Sequence, residues 1–392
     1  MKIGVDGACW ANRRGYGRFA REICRAMIRE APEHEFVCFV DPEAERTFAP
    51  DEPNARLARV PQRRAPTAAA AADGSRSPVD MLRFTRAVWG ESLDAFFSPS
   101  VYTFFPLPPG LPAVVTIHDA IAERFPELTL PSRRARLFWR LKVSLALRQA
   151  ALVLTVSDYA RRDVEQVHHV AGSRMRVALE APAEAYRPRE DDEAVEAAAR
   201  RTGVPEGARW FTYVGGFNPH KNVDVLVRAH ARLAEELGDA APHLVLVGST
   251  SGDVFHGSLA QIRAEVERLG TGSRVHWPGY VPDDELSHLH TGALGLVLVS
   301  EAEGFGLPAV EAAACGCPVV ATIESPLPGL LAGGGIFVEP GEEDALHGAL
   351  SRLARDESTR RAMGAAALER AGELSWPRAA RAALDALAEA AA

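Results

Sequence analysis

Two glutamates, Glu303 and Glu311, flank a short glycine-containing loop in the second half of this chain. The apolar run from Leu294 to Val299 before the loop predicts a buried strand, and Pro308 after it favours the first position of a helix. A helix N-terminus presents unpaired N–H groups and a partial positive charge, so it can hold a diphosphate without a metal ion. The spacing therefore predicts a sugar-nucleotide site at the carboxyl edge of a sheet, although a solvated glutamate beside an ordinary turn fits the same letters.

A second glycine loop, from Gly15 to Phe19, follows the first predicted strand, where a doubly wound fold places its ligand crevice. Gly15 and Gly17 permit close approach of the backbone to a ligand. Positive charge that can face a diphosphate or an anionic acceptor comes from Arg13, Arg14 and Arg18. Because a glycine turn after a strand is common, this loop by itself is weak evidence for a site.

His118 ends a predicted strand, Ala113 to Ile117, and so lies at the same edge of the first sheet. A histidine at a strand end is often only a satisfied polar residue, and an aspartate such as Asp119 is often a turn or cap residue. Asp119 is expected to orient the histidine or its loop. Ser157, which follows another predicted strand, fits a helix N-cap as well as a site residue.

Lys221 precedes a helix predicted from Val223 to Leu237 and follows a strand that ends near Gly216. Its ammonium group and the helix terminus can together meet phosphate oxygens, with Asn222 as the expected N-cap. Arginine greatly outnumbers lysine in this chain, in which only Lys2, Lys142 and Lys221 are lysines. A lysine retained here is expected to act as a compact point charge.

Short apolar runs alternate with helical patterns through both halves of the chain, which indicates an α/β fold with parallel sheets covered by helices. At 392 residues the chain exceeds what one compact core supports, so two doubly wound domains are expected. The strands predicted for the first domain are Ile3 to Asp6, Phe36 to Val40, Ala95 to Ser98, Ala113 to Ile117, Leu152 to Val156 and Arg176 to Leu179. Those predicted for the second are Trp210 to Val214, Leu244 to Val247, Arg274 to Trp277, Leu294 to Val299, Pro318 to Ala321 and Ile336 to Val338.

Domain boundaries follow from the composition between these patterns. We expect a first domain at residues 1–185 and a second at 190–374, joined by a proline-containing hinge and an acidic run. Residues 375–392 form a final helix. The segment from Pro61 to Asp80 has no periodicity and is expected to be mobile.

The composition is that of an ordinary globular protein, with 47% hydrophobic and 24% charged residues. A net charge of -8 argues against nucleic acid as the main partner. The N-terminus begins a strand and no run of eighteen apolar residues occurs, so we expect a cytoplasmic protein. No Asp-x-Asp triplet or metal-ligand spacing is present, and no metal is expected. The cysteines are expected to be reduced and mostly buried; they are Cys9, Cys24, Cys38, Cys315 and Cys317.

Five stretches, taken in order, resemble the family 4 retaining glycosyltransferases of the GT-B architecture over nearly the whole chain. The most specific is the Glu, seven residues, Glu motif from Glu303 to Glu311. The others are Gly15 to Phe19, Val115 to Asp119, Val156-Ser157, and Tyr213 to Gly216 leading to Lys221-Asn222. The resemblance implies two Rossmann-like domains facing an interdomain cleft, an N-terminal one for the acceptor and a C-terminal one for the nucleotide sugar. It also implies that the final helix crosses back to the first domain.

The same resemblance implies roles for individual residues. His118 and Glu303 would be catalytic, near the transferred sugar, and Glu311 would hold the nucleotide ribose. The other donor-binding residues implied are Gly15, Gly17, Gly216, Lys221, Phe305, Gly306 and Leu307. The chain departs from the family pattern at Gly216 and at His220, where arginines are frequent. Phosphate neutralisation is therefore expected to rely on Lys221 and the helix termini, with the N-terminal arginines as further contributors.

The function implied is metal-independent transfer of a hexose-type sugar, with retention and without a cofactor, from GDP-mannose or a UDP-sugar. The glycine loop from Gly15 to Phe19 resembles that of mannosyltransferases. The acceptor would be a hydroxyl of a glycan, a lipid-linked molecule or a small molecule. Alternatives are a sugar phosphorylase or epimerase of the same architecture, and a catalytically silent sugar-nucleotide-binding partner protein.

One helix, predicted from Pro131 to Arg148, combines apolar and basic sides. The apolar residues that share one side are Leu137, Phe138, Leu141 and Leu145, and the basic residues largely on the other are Arg133, Arg134, Arg136, Arg140 and Lys142. The face from Arg133 to Lys142 fits either a solvated surface or peripheral contact with an anionic membrane, at its inner face in a cytoplasmic protein.

Overall fold

In this computed structural model of the protein, the residues described are 1–12, 15–63, 77–130, 132–249 and 258–392. They form two compact units, Met1–Glu180 with Ser375–Ala392, and Ala181–Leu374. Arg13, Arg14, Pro131 and the central part of the segment predicted to be mobile lie outside the described residues.

The first unit contains one seven-stranded parallel sheet. Its strands are β1 Lys2–Asp6, β2 Glu35–Val40, β3 Ala55–Arg59, β4 Ala95–Ser98, β5 Ala113–Thr116, β6 Leu152–Thr155 and β7 Met175–Val177. Their order across the sheet is β3-β2-β1-β4-β5-β6-β7. The inner strands read as continuous apolar runs because helices cover both faces of a parallel sheet.

The helices of this unit include the last one of the chain. They are α1 Gly15–Glu30, α2 Pro42–Thr47, α3 Pro78–Trp89, α4 Ile121–Arg124, α5 Pro126–Thr129, α6 Arg133–Gln149, α7 Asp158–His168 and α16 Trp376–Ala391. Helix α16 packs on α1, where Arg381 donates to Glu30 over 2.8 Å and the rings of Trp376 and Phe19 lie 6.1 Å apart.

The second unit repeats the pattern with six parallel strands. They are β8 Trp210–Val214, β9 His243–Val247, β10 Val275–Gly279, β11 Leu296–Leu298, β12 Val319–Thr322 and β13 Gly335–Val338, in the order β10-β9-β8-β11-β12-β13. Its helices are α8 Asp192–Arg201, α9 Val223–Leu237, α10 Leu259–Arg268, α11 Asp283–Gly292, α12 Leu307–Ala314, α13 Leu327–Leu330, α14 Glu343–Arg355 and α15 Glu357–Ala371. The predicted pair of doubly wound α/β domains is confirmed.

Two details differ from the sequence analysis. Strand β3 was not predicted, because its sequence Ala-Arg-Leu-Ala-Arg lacks an apolar run. Among the described strands it pairs only with β2, and its edge position leaves Arg56 and Arg59 in contact with water. The first unit also ends at Glu180, whereas the proline-rich sequence placed its end near residue 185.

Two further observations concern the cysteines and the helices. All five cysteines are buried free thiols, and burial raises the pKa of Cys38 to about 12 and that of Cys315 to about 11. These thiols therefore remain protonated and unreactive near neutral pH. Within the described ranges, no helix is both long enough and apolar enough to cross a membrane.

Buried histidines distinguish the second unit. His243 Nδ1 and His276 Nε2 lie 2.8 Å apart on neighbouring strands, and His230 Nε2 donates to the carbonyl of Pro242 over 2.9 Å. Burial lowers the pKa of His230 and of His276 to about 4, and that of His290 to about 3. The fold therefore requires these imidazoles to be neutral.

This requirement predicts a loss of stability in mild acid. His230, His276 and His290 each have a folded-state pKa below the ordinary value of 6.5, so the unfolded chain takes up protons that the folded chain excludes. The stabilisation is fully present above pH 6.5 and falls as the pH drops toward 4; at about pH 5, His230 alone accounts for roughly 2 kcal/mol of the loss. Urea unfolding at pH 7 and pH 5 should show a smaller loss for His230→Gln than for the wild type. The partly exposed His288 supplies the control, since His288→Gln should lose as much as the wild type. An unchanged loss in His230→Gln would refute the assignment.

Candidate functional site

The candidate donor site lies where the strand order of the second sheet reverses. Strands β8 and β11 are neighbours, but the chain leaves β8 toward β9 on one side and leaves β11 toward β12 on the other. The loops that follow β8 and β11 therefore diverge and leave a crevice at the carboxyl edge. Lys221 lies on the first of these loops, and Glu303 on the second.

Backbone and amide hydrogen bonds tie these two loops together. The amide group of Asn222 donates to the Val299 carbonyl over 3.2 Å and to a Glu301 carboxylate oxygen over 3.0 Å. The Glu301 N–H donates to the His220 carbonyl over 2.8 Å. Asn222 was predicted as the N-cap of α9; it holds that position in a left-handed conformation, φ 52°, but its side chain bonds across the crevice instead of capping.

Lys221 and Glu303 form the central ion pair of the crevice. The Lys221 Nζ atom lies 2.7 Å from Glu303 Oε1, and the Ser300 hydroxyl donates to the same oxygen over 2.6 Å. The two side chains are only 18% and 12% exposed. The sequence analysis treated Lys221 as a phosphate ligand and Glu303 as a sugar ligand, but did not predict that they contact each other.

The loop after β11 reaches α12 through a glycine that no other residue can replace without strain. Gly306 has φ 88°, and a Cβ atom there would lie 2.8 Å from the Leu327 side chain, which is fully buried. This conformation aligns the backbone with the start of α12, whose first residue is Leu307 and whose second is Pro308. Pro308 was predicted at the first position of the helix, and it occupies the second.

Unpaired backbone donors lie at this turn. In the part of the chain that the structure describes, the N–H groups of Phe305, Gly306 and Leu307 donate to no protein acceptor. The positive end of the α12 dipole adds to their field. Glu311 lies one helical turn after Leu307 and is only 4% exposed. These groups and Lys221 can together hold a phosphorylated, hydroxyl-rich ligand.

The last predicted donor residue of this unit, Gly216, follows β8. Its carbonyl accepts a hydrogen bond from the Tyr213 hydroxyl, and a Cβ atom on Gly216 would lie 2.5 Å from the Asn218 side-chain oxygen. Packing within the loop therefore favours glycine at position 216. Lys221 N–H in turn donates to the Asn218 carbonyl over 2.9 Å, which continues the turn toward the ion pair.

In the first unit, His118 is held firmly at the carboxyl edge of the sheet. Its Nε2–H donates to the Pro99 carbonyl over 3.0 Å, its Nδ1 lies 3.6 Å from a Glu180 carboxylate oxygen, and its ring meets Phe19 edge-on. The side chain is 12% exposed. Glu180, near the end of the predicted first domain, is therefore a neighbour of His118 that was not predicted from the sequence.

The segment predicted as a glycine loop, Gly15 to Phe19, instead forms the first turn of α1, and its glycines have structural roles. A Cβ atom on Gly17 would lie 2.1 Å from the Asn12 carbonyl oxygen, so this position needs glycine for packing. Gly15, the exposed first residue of α1, would meet nothing within 4 Å and leaves open space beside the loop. Asp6 at the end of β1 accepts from the Thr103 hydroxyl over 2.7 Å, a contact at this edge that the sequence analysis also missed.

Ser157 and Asp119, for which the sequence allowed more than one role, have local structural roles. Ser157 caps α7, since its hydroxyl accepts from the Ala160 N–H over 2.9 Å. Asp119 accepts from the Ile121 N–H over 3.0 Å and so supports the loop before α4. Polar residues directly after buried strands, such as Ser300 and Glu301, are the signal that could have revealed the missed members of the donor crevice.

The predicted site residues thus fall into two groups, one in each unit. The first unit holds Gly15, Gly17 and His118, and the second holds Gly216, Lys221, Glu303, Phe305, Gly306, Leu307 and Glu311. Within the second unit, Lys221 and Glu303 are in direct contact, and the turn from Phe305 to Leu307 follows them immediately.

Comparison with known proteins identifies relatives over both units. Residues 195–370 match the sequence model of the glycosyl transferases group 1, and residues 13–178 match that of glycosyltransferase family 4. O-antigen chain mannosyltransferase B of Escherichia coli is 30% identical over 265 residues, which cover 67% of this chain and 67% of that protein. D-inositol 3-phosphate glycosyltransferase of Corynebacterium glutamicum (strain R) is 32% identical over 215 residues, 54% of this chain and 51% of the relative.

A solved structure agrees with the fold over the full length. Anabaena Alr3699/HepE in complex with UDP-glucose superposes with a TM-score of 0.73 and 18% identity, covering 99% of this chain and 100% of that one. At this identity the likeness concerns the fold alone, and it confirms the predicted GT-B architecture of two Rossmann-like domains.

The geometry around Gly306 yields a prediction with a matched control. Gly306→Ala should lower the free energy of unfolding by roughly 2–4 kcal/mol, because it combines backbone strain at positive φ with a clash against a buried side chain. Gly316 has a similar φ of 76° but nothing within 4 Å of its Cβ position, so Gly316→Ala should cost only about 1–2 kcal/mol. Chemical unfolding of both variants measures the difference, and equal losses would show that the Leu327 contact is unimportant.

Proposed function

Because the chain belongs to the group 1 glycosyl transferases, with a family 4 N-terminal part and the GT-B fold, we propose that it transfers a hexose-type sugar from a nucleotide diphosphate donor to an acceptor hydroxyl. The transfer is proposed to retain the configuration of the sugar. The observation that carries the proposal is the Lys221–Glu303 ion pair, which lies just before the unpaired N–H groups of residues 305–307.

Each part of this arrangement has a task in the proposed reaction. An ammonium group has three donor hydrogens, so Lys221 can keep its bond to Glu303 and also donate to a phosphate oxygen. The N–H groups of Phe305, Gly306 and Leu307 face the remaining phosphate charge at the α12 terminus. As the bond between sugar and phosphate breaks, negative charge grows on the diphosphate, and these fixed donors stabilise it without rearranging.

The carboxylates contact the two ends of the donor in this proposal. Glu311 holds the ribose hydroxyls, and Glu303 holds sugar hydroxyls near the reacting carbon. His118, fixed through Pro99, lies on the sugar side in the first unit. The acceptor hydroxyl attacks from the face that the diphosphate leaves, and the diphosphate itself assists removal of its proton. The protein then contributes positioning and electrostatic stabilisation, without an obligate nucleophile.

A metal-independent reaction is part of the proposal. The sequence contains no Asp-x-Asp triplet, and the cationic Lys221 with the α12 terminus supplies the charge that a divalent ion supplies elsewhere. No cofactor is proposed. We further propose a cytoplasmic location, with peripheral contact at the inner face of the membrane through the region from Arg133 to Lys142.

The donor is proposed to be GDP-mannose, in preference to a UDP-sugar. The support is the mannosyltransferase relative at 30% identity together with the glycine loop from Gly15 to Phe19. A structure with the same fold was solved with UDP-glucose, so the UDP-sugars form the comparison set. The proposed acceptor is a hydroxyl group of a glycan, a lipid-linked molecule or a small molecule.

The primary test is a donor screen without and with chelator. Purified protein is mixed with GDP-mannose, UDP-glucose and other nucleotide sugars, and thermal shift and mass spectrometry report stabilisation and slow donor hydrolysis. We expect GDP-mannose to be favoured and EDTA to leave turnover unchanged. Loss of activity with EDTA and recovery with magnesium or manganese would refute metal independence. Sugar phosphate formed from inorganic phosphate would indicate a phosphorylase, an altered sugar on the same nucleotide would indicate an epimerase, and binding without turnover would indicate a silent partner protein.

Steady-state kinetics separate the roles of the two glutamates. Glu311→Gln removes a contact made equally in the ground and transition states, so the donor KM should rise about ten- to a hundredfold with little change in kcat. Glu303→Gln should instead depress kcat, because its contact strengthens as charge develops on the sugar. The donor KM should not rise, since the Lys221 ammonium group is then no longer shared with Glu303 and can bind the diphosphate alone. Glu339→Gln, at an exposed glutamate after β13, should behave as the wild type; the same pattern in both site variants would overturn the assignment.

A further inference from the structure

Helix α6 exposes the side that its sequence would place inside. The sequence analysis grouped four large apolar residues on one side, and the structure leaves that side in solvent: Leu137, Phe138, Leu141 and Leu145 are 67%, 46%, 53% and 38% exposed. They recur over three successive turns of the helix and so form one continuous row, here called the apolar stripe. Large apolar residues exposed together in this way mark an interaction surface.

The opposite side of α6 explains why the stripe is left outside. This side packs through the small residues Ala135, Val143 and Ala146, all of which are buried. Small side chains let the helix lie close to the sheet, and Val143 and Ala146 join the same apolar core as the residues of β5. The core is therefore filled without the apolar stripe. A rotation of α6 that buried the stripe would also bury the arginines that share its face.

The charge on α6 indicates what covers the stripe. The helix contains no acidic residue, although the chain has a net charge of -8. At the helical repeat of 100° per residue, Arg134 and Arg148 share the face of the stripe, one near each end, and Arg140 flanks it. Arg140 and Arg148 form no ion pair among the described residues, and the Arg134 guanidinium lies 5.4 Å from the Phe138 ring centre. Apolar residues between unpaired arginines complement an anionic lipid surface.

A second copy of the chain is a poorer complement. In a two-fold symmetric pairing of antiparallel α6 helices, Arg134 of one copy would approach Arg148 of the other. Like charges would then meet at both ends of the stripe and oppose the apolar contact.

Aromatic contacts connect α6 to the ligand edge of the first unit. The ring of Trp139 lies 5.1 Å from that of Tyr102, and Tyr102 stacks on Tyr16 at 4.5 Å. Lys142 Nζ lies 5.3 Å from the Trp139 ring centre and 3.5 Å from the Tyr102 carbonyl. Tyr16 lies in the first turn of α1, in the segment predicted from the sequence as a glycine loop. A path of partly buried rings thus runs from α6, through Tyr102, to the start of α1.

We propose that the apolar stripe of α6 inserts into the surface of an anionic phospholipid bilayer, and that the acceptor hydroxyl is carried by a lipid of that bilayer. The acceptor part rests on the proposed glycosyl transfer, whereas the docking part does not. The arginines at the ends of the stripe contact lipid phosphates, and the rings from Trp139 to Tyr16 guide the head group to the glycine loop. The surface is the leucine-containing side of α6, and not only the basic side considered from the sequence.

Vesicle binding tests the docking surface directly. The full-length protein should sediment with vesicles of phosphatidylcholine containing about 30% phosphatidylglycerol, and more weakly with phosphatidylcholine alone. Leu137→Gln/Leu141→Gln should reduce the partition coefficient at least tenfold on both vesicles, because it removes apolar area from the stripe. Arg134→Gln/Arg148→Gln should reduce it only on anionic vesicles. Leu368→Gln, at a leucine 38% exposed on α15, should change nothing.

Donor binding by these variants keeps the two proposals apart. Since α6 belongs to the first unit and the residues proposed to hold the nucleotide diphosphate belong to the second, thermal stabilisation by nucleotide diphosphate should be unchanged in Leu137→Gln/Leu141→Gln. Undiminished vesicle binding by this variant would overturn the docking surface. The docking proposal would also be overturned if the wild type formed concentration-dependent dimers and did not bind vesicles, and if Leu137→Gln/Leu141→Gln abolished those dimers. That result would indicate self-association through the stripe.

Label transfer tests the lipid-borne acceptor. Radiolabelled nucleotide sugar is incubated with the protein and with vesicles that contain total lipid extract of the producing cells, and the label is then partitioned between butanol and water. We expect label in the butanol phase, reduced at least fivefold in Leu137→Gln/Leu141→Gln while donor hydrolysis persists. Label found only in water-soluble products would overturn the acceptor class and leave the glycosyltransferase assignment intact.

Discussion

The ion pair between Lys221 and Glu303 joins two loops that are 82 residues apart in the sequence and adjacent only at the strand-order reversal. Bringing both charges partly out of water is unfavourable unless each retains a close partner. Ser300 supplies a further donor to Glu303, and Asn222 holds the same loops together through Val299 and Glu301. These contacts fix the loops after β8 and β11 relative to each other, and so they determine the shape of the crevice.

Backbone groups carry much of the anion binding proposed for the crevice. The loop after β8 carries Gly216 and His220, which departs from the family pattern expected from the sequence, so the proposed anion binding relies on Lys221 and the amide groups at the start of α12. Such groups are preorganised by the helix and need no side-chain ordering on binding. The positive φ of Gly306 is the local conformation that makes this possible, and buried Leu327 beneath it excludes any larger residue.

The first unit illustrates a different constraint, the need of a parallel sheet to be covered by helices. α6 meets it with Ala135, Val143 and Ala146, and so its largest apolar residues remain outside the core. The amphipathic pattern in the sequence was correct, but amphipathicity alone does not state which side meets the sheet. Steric fit decided it, because small residues permit the close approach that leucines would prevent.

The sequence by itself determined the fold class and twelve of the thirteen strands found in the described part of the chain, because apolar periodicity acts locally. It missed β3, where edge exposure of Arg56 and Arg59 removes the apolar signal. Only the tertiary structure decided that Lys221 meets Glu303, that Asn222 bonds across the crevice instead of capping α9, and that Glu180 faces His118. These contacts join residues distant in the chain, and their partners are set by strand order and loop geometry, which local periodicity does not encode.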